Sequence, residues 1–165
     1  MKVIVFGASG GVGTAAVQQA VAAGHEVTAY VRDPAKLSAP DGVTVVQGDA
    51  LDGMRAQGVR RLVVCSSAGV EDELTGPAGK VIAFTLRNPL RDHRAALDRY
   101  RAIDPELTIA RPLGLTDDPL REDYRRATPG VPRGGRSIPR ASVAHFMVSA
   151  LGDPDTVGAS VGLAI

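Results

Sequence analysis

The residues best suited to chemistry stand together near the start of the chain, as Gly7-Ala8-Ser9-Gly10-Gly11-Val12-Gly13. They follow an apolar run, Val3-Ile4-Val5-Phe6, and precede an alanine-rich stretch. In that setting Gly7 turns the chain where a side chain would clash, and Gly10 lets backbone N–H groups approach a pyrophosphate. Gly13 lets the following helix pack closely on the sheet, and the helix start adds partial positive charge. No Gly-Lys-Ser/Thr follows, so the loop is not a P-loop. The chemistry it suits is capture of a dinucleotide.

The end of the next apolar segment selects the dinucleotide. Arg32 stands there, with Asp33 after it and Lys36 a turn later. Two cations at that corner suit a ribose 2′-phosphate and favour NADP, whereas Asp33 keeps NAD open as the acceptor for a free 2′-hydroxyl. Elsewhere the signals weaken. Cys65-Ser66-Ser67-Ala68-Gly69 lacks the first glycine of a Gly-x-Ser-x-Gly elbow, which argues against a Ser–His hydrolase. Ser67 is a candidate hydrogen-bond donor to a substrate carbonyl, or a cap on the strand end. Cys65, inside an apolar run, reads as a small buried hydrophobe. His25 and His145 lack metal-ligand spacing and read as structural, so no metal site is expected. Asp117-Asp118 before Pro119 reads as a solvated turn.

The elements that must position these residues alternate along the chain. Strands are expected at Val3–Phe6, Glu26–Arg32, Val43–Gln47, Arg61–Cys65 and Leu107–Ala110, with a possible edge strand at Ser160–Ala164. Helices are expected over Thr14–Ala23, Asp92–Ala102 and Ser142–Leu151, the last with Ser142 as N-cap. Leu51–Gln57 has room for about two helical turns. Val70–Pro89 reads as loop, and the Pro-, Gly- and Arg-rich residues 116–140 as surface loop with one short strand. Alternation of this kind implies an α/β fold around a parallel sheet.

Bulk properties bound the rest. At 165 residues the chain is one domain, and its net charge of +1 makes no electrostatic case for nucleic acid or an anionic membrane. One cysteine precludes an intrachain disulfide and points to the cytoplasm. The N-terminal run reads as a strand rather than a signal peptide, and no apolar run is long enough to span a bilayer.

Taken in order, "VIVFGASGGVG", "EVTAYVRDPAKL", "VVQGDALD", "RRLVVCSSAGV", "RDHRAALDRYRA", "LTIARPLGLTD" and "IPRASVAHFMVSAL" resemble the atypical short-chain dehydrogenase/reductases of NAD(P)H-binding, NmrA-like type. The likeness is closest to the flavin reductase/biliverdin-IXβ reductase subgroup. The resemblance implies one Rossmann-like domain over 1–165, with a small substrate-side portion at about 112–141. It implies that Gly7, Ser9, Gly10, Gly11 and Val12 wrap the pyrophosphate, that Arg32 and Lys36 meet the 2′-phosphate, and that Asp49 and Ala50 border the adenine. Cys65, Ser66 and Ser67 would lie under the nicotinamide, Pro112, Leu113 and Gly114 beside its carboxamide, and His93 would face the cofactor, where it is a candidate proton donor. Hydride transfer to a flavin, quinone or tetrapyrrole-like acceptor would follow, in a monomer or homodimer; the family's redox-sensing members offer a non-catalytic alternative.

Two departures stand out. The chain has no Tyr-x-x-x-Lys pair, as in the reductase subgroup. Several dozen residues, which in the family form the fourth strand, its loop and most of a helix, are missing between Asp52 and Gly53. In a 3-2-1-4 order the remaining bridge must cross about three strand spacings of ~4.8 Å, which about eleven residues can span only with little slack. Direct pairing of Arg61–Cys65 with Val3–Phe6 is therefore expected, with coverage of an open edge by a second subunit as the alternative.

Overall fold

A computed structural model describes residues 1–48, 58, 60–74 and 76–165, with Ala78 as backbone alone. Val3–Phe6 lies within β1 (Lys2–Phe6), which leads through the glycine turn into α1 (Gly11–Ala22). β2 (Glu26–Val31) and β3 (Thr44–Gln47) follow. All three strands are parallel, in the order β1-β2-β3, with Lys2 opposite Glu26 and Thr28 opposite Thr44. Val17 and Ala20 of α1 pack on Val3, Val27, Ala29 and Val31, the apolar faces that the sequence pattern marked for burial.

The second half builds a separate ladder. β4 (Arg61–Cys65) pairs in parallel with β5 (Glu106–Pro112), β5 with β9 (Ser160–Ala164), and β9 in antiparallel with β7 (Arg125–Ala127). The C-terminal strand is thus interior rather than an edge, because residues from the 116–140 segment fold back over it. β6 (Gly114–Thr116) and β8 (Ser137–Pro139) form a small parallel pair above the strand ends.

Direct pairing of β4 with β1 does not occur. The sheet is split, with β1 ending one ladder and β4 ending the other. Between them lies a cavity of about 680 Å³, lined by both strands, by Ala16 and Ala20 of α1, and by Met147, Val148 and Leu151. The short bridge does not draw β4 across, because β4 is anchored on its far side. Its Arg61 guanidinium donates to Glu106 O (2.7 Å), Thr108 Oγ1 (2.8 Å), Thr156 Oγ1 (2.8 Å) and Ala150 O (2.7 Å). Both strands carry the mark of an unpaired edge. Only Val3 of β1 and Leu62 of β4 are fully buried, where continuous burial is the rule for central parallel strands.

Helices hold the halves together. α4 (Arg140–Leu151) lies against α1, with Gln19 Nε2 donating to Ala141 O at 2.8 Å. Val148 and Leu151 join the β1–β3 core, while Val12 of α1 joins the core around Phe146 and Leu163. Each half therefore inserts side chains into the other's core.

Three local expectations also change. α4 begins two residues before Ser142, after Pro139, and the Ser142 hydroxyl instead donates to Arg121 O (2.7 Å) and accepts from Arg121 N (2.9 Å). Ser142 is a loop clamp, not an N-cap. Val70–Pro89 contains a helix, α2 (Gly76–Thr85), and α3 spans Arg87–Arg101, starting before Asp92. α2 escapes a periodicity search because its apolar residues are not turned inward: Val81 is 66% and Phe84 68% exposed. The expected turns over Leu51–Gln57, and the bridge itself, lie outside the described residues.

Candidate functional site

The turn between β1 and α1 is built as its glycines require. Gly7 has φ +68°, a left-handed conformation, and its N–H donates to Tyr30 O (3.2 Å). Gly10 N–H closes the turn on Gly7 O at 2.9 Å, so this amide tightens the loop rather than facing outward. A Cβ on Gly13 would stand 2.2 Å from Gly7 O, a clash of backbone with side chain that only glycine avoids. The Thr14 hydroxyl donates to Ala8 O (2.9 Å) and locks the inner side. The first intrahelical bond of α1 is Thr14 N–H to Gly10 O (2.8 Å). The N–H groups of Gly11, Val12 and Gly13 precede it and have no intrahelical acceptor. The helix dipole adds about half a positive charge at the same place.

Beside this turn a cleft of about 320 Å³ is lined by Gly7, Ser9, Gly10, Tyr30, Arg32 and Gly48. The Tyr30 ring stacks against Phe6 at 5.3 Å between centroids and lies on Gly48, where a Cβ would meet it at 3.3 Å. Arg32 has no acid partner among the described residues, whereas Lys36 pairs with Asp33 (3.7 Å). The Asp33 carboxylate also accepts from Ala35 N (3.2 Å), capping a short 3₁₀ turn over Pro34–Lys36. The corner therefore presents one uncompensated cation, Arg32, while its acid is engaged by Lys36 and by the chain. Asp49 and Ala50, the expected adenine border, lie outside the described residues.

On the other side of the cavity, the chain after β4 runs along the end of β5. Ser66 N–H donates to Ala110 O (2.8 Å) and Ala68 N–H to Pro112 O (2.9 Å). Cys65 thus stands opposite Ala110, and Ser66 and Ser67 run toward Pro112, whereas the Leu113 and Gly114 amides turn away to Leu163 O and Arg136 O. The Ser66 hydroxyl is buried and has no hydrogen-bond partner among the described residues, an orphan polar group of the kind that a bound ligand satisfies. The Ser67 hydroxyl donates to the neighbouring Ala68 O (3.1 Å). Burial pushes the Cys65 thiol up to about 11, which makes it an inert, protonated group at neutral pH. His93 lies partly exposed on α3, and its ring makes no hydrogen bond to Ser67 or to any other described residue. The two candidate catalytic residues are not joined into one relay.

Two charged groups were missed. Arg111, read only as the end of a strand, is a buried cation whose guanidinium pairs with Glu73 and, at 3.4 Å, with Glu71. It also donates to Ser160 Oγ (2.8 Å) and to Gly130 O (3.1 Å). Burial pushes the Glu73 carboxyl up, but the backbone amides of Glu73 and Gly69, together with Arg111, outweigh it and hold the group below its ordinary range. The signal was present: an arginine inside Leu-Thr-Ile-Ala-Arg-Pro is a charge in an apolar strand. The second group is Arg140, which lies across Gly11 and pairs with Asp117 (2.6 Å). Asp117 is thus ion-paired rather than merely solvated, and Asp118 accepts from Thr116 Oγ1 (2.7 Å). His145 is structural, with Nδ1 3.1 Å from the Tyr124 hydroxyl. No helix among the described residues is long and apolar enough to cross a membrane.

A parallel α/β sheet with a glycine turn opening onto a bare helix start, and a basic residue ending the second strand, defines a Rossmann-type dinucleotide-binding protein. The chain belongs to the NAD(P)H-binding family, whose sequence model matches residues 7–53 and 49–154. The two matched pieces overlap at residues 49–53. Among solved structures, a Rossmann-fold NAD(P)-binding family protein from Shigella flexneri is 25% identical, with a TM-score of 0.71, covering 98% of this chain and 92% of its own. A short-chain dehydrogenase/reductase from Veillonella parvula, solved in complex with NADP, is 19% identical (TM-score 0.78; coverage 99% and 94%). ChuY, an anaerobillin reductase from Escherichia coli, is 20% identical (TM-score 0.78; coverage 98% and 97%). The fold is that of NAD(P)-binding, oxidoreductase-like proteins.

Proposed function

We propose that the protein is an NADP-dependent reductase that passes hydride to a flat, conjugated acceptor such as a flavin, quinone or tetrapyrrole. The observation that carries this reading is the glycine turn. It leaves the first amides of α1 without intrahelical acceptors at the mouth of the sheet, beside a cleft whose one uncompensated cation is Arg32. The residues fit the group: Gly11, Val12 and Gly13 would hold the diphosphate, Arg32 the 2′-phosphate, and the orphan Ser66 hydroxyl the carboxamide. Lys36 is available to the 2′-phosphate only by leaving Asp33, and Asp49 and Ala50 would border the adenine. Bound NADPH supplies a hydride, and the protein's part is to orient it, to exclude water and to steady the charge on the acceptor. Ser67 is assigned that last role through its hydroxyl, and His93 that of a proton source near the acceptor. The acceptor class rests on the family likeness, with which ChuY, an anaerobillin reductase of the same fold, is consistent.

A second reading, a non-catalytic sensor of the dinucleotide's redox state, is favoured by the split sheet. The cavity reaches both Gly10 and Cys65, so the floor between the diphosphate loop and the nicotinamide residues is missing a strand. Hydride transfer is sensitive to misplacement of ~1 Å, whereas diphosphate binding is not. Fluorescence titration with NADPH and NADH, followed by turnover assays with flavin and quinone acceptors, separates the readings. An enzyme binds NADPH more tightly and oxidises it, with a fall of roughly 100-fold in Ser67→Ala. A sensor binds without turnover. Binding of neither dinucleotide removes both.

A further inference from the structure

Arg140 is the first residue of α4, yet its side chain lies on the first residue of α1. A Cβ on Gly11 would stand 2.6 Å from Arg140 Cδ and 2.9 Å from its Nε, so a side chain at position 11 would push the arginine away. Glycine at 11 therefore does more than open the backbone: it lets a cation rest across the start of the helix that carries the free amides. The Arg140 side chain is 32% exposed, and its one partner among the described residues is Asp117, through a single 2.6 Å contact from Nη1. A guanidinium has five N–H donors, so most of its capacity is uncommitted. Asp117, at 90% exposure, has no other partner among the described residues.

We propose that Arg140 is a diphosphate-binding residue, kept in place by Asp117 until the dinucleotide arrives and then transferred to it. This rests on the glycine turn's being a dinucleotide site. A diphosphate at the start of α1 offers two charged, forked acceptors to a guanidinium already a few ångströms away. The exposed carboxylate of Asp117 is a weaker competitor, because solvent screens its charge and holding it costs side-chain freedom. Asp117 must give way, since its negative charge beside a diphosphate is repulsive.

The exchange predicts effects of opposite sign from the two partners. Arg140→Met weakens NADPH and NADH by the same factor, roughly 10-fold or more, because the diphosphate is common to both. Arg32→Met weakens NADPH alone. Asp117→Asn tightens both by about threefold, by removing a competitor and a like charge. Dissociation constants from fluorescence titration, with thermal melting to confirm that each variant is folded, read these effects without any assay of turnover. Arg140→Met binding as the parent does, or losing NADPH alone, overturns the assignment, and so does Asp117→Asn binding no tighter. The Asp117 arm stands even where Arg140→Met fails to fold. Should the parent chain bind neither dinucleotide, it is the reading of the turn that fails, a distinct result.

Discussion

Cys65 is the chain's one thiol, at the end of a strand that lines the cavity. Its burial raises the pKa from 9.0 to about 11, so the folded chain holds this proton more tightly than the unfolded one. Between those values the unfolded state binds fewer protons, and stability must fall as pH rises. The contribution is fully present below pH 9 and is lost as pH climbs through 11, amounting to about 2–3 kcal/mol. Urea denaturation of the parent and of Cys65→Ala at pH 8, 10 and 11 isolates it, since every other group is common to both. The parent should lose more stability than the variant over that interval. Equal losses would show that water reaches the thiol through the cavity. The same scale contains the site's other decisive contacts: one atom on Gly13 would close the turn, and one on Gly11 would expel Arg140.

At the scale of elements, the segment carrying Ser66 and Ser67 is pinned from beneath. Its continuation reaches Glu73, which is 9% exposed and bound to the fully buried Arg111 of β5. Arg111 in turn holds Gly130 of the 116–140 segment and Ser160 at the start of β9. One guanidinium thus ties the loop after β4, the loop before β8 and two strands into a unit. Removing the Glu73 charge leaves buried Arg111 with only the more exposed Glu71, at 3.4 Å, as its counter-ion. Glu73→Gln should cost about 3–5 kcal/mol in urea denaturation, although Gln is nearly isosteric. Replacement of both Arg111 and Glu73 by Met should cost less than Glu73→Gln alone, because no charge then remains buried. A double variant that is the less stable of the two would mean that the hydrogen bonds to Gly130 and Ser160, not the ion pair, hold the unit together.

The whole molecule is two half-sheets joined by the packing of α1 on α4. The backbone directions identify which groups face the gap. Gly7 N–H and Met1 C=O point to β2, so Val3 and Val5 do too, and Ile4 and Phe6 point to the cavity. Ser66 N–H and Arg60 C=O point to β5, which directs Val63 and Cys65 of β4 into the cavity. Amide exchange followed by NMR should therefore alternate along both strands. Ile4, Phe6, Val63 and Cys65 should exchange at least ~10-fold faster than Val3, Val5, Leu62 and Val64. Uniformly slow exchange along β1 and β4 would mean that the edges are paired in solution, by a second copy or by the chain itself, and dilution would tell these apart.

How much of this was legible follows from where each contact's partners lie in the chain. The glycine turn, strands β1 to β5, α1 and the identity of Arg32 are local matters: glycine spacing, β-branched runs and the residue ending a strand are set within a few neighbours, and pattern reading recovers them. Residues brought together by the fold were only partly legible. That the stretch after β4 and the end of β5 serve one nicotinamide site was an expectation of family likeness, whereas Arg111 with Glu73, and Arg140 with Gly11, were not seen at all. Their partners are separated by tens of residues, and although Arg111 stands out as a charge in an apolar strand, nothing local names its partner. The sequence by itself determined a dinucleotide-shaped turn on a parallel α/β framework. Only the tertiary structure decided that β4 stays beside β5 and leaves an open slot next to β1, because the Arg61 anchorage and the α1–α4 packing hold each half where it is, and no local pattern records the balance between those distant contacts.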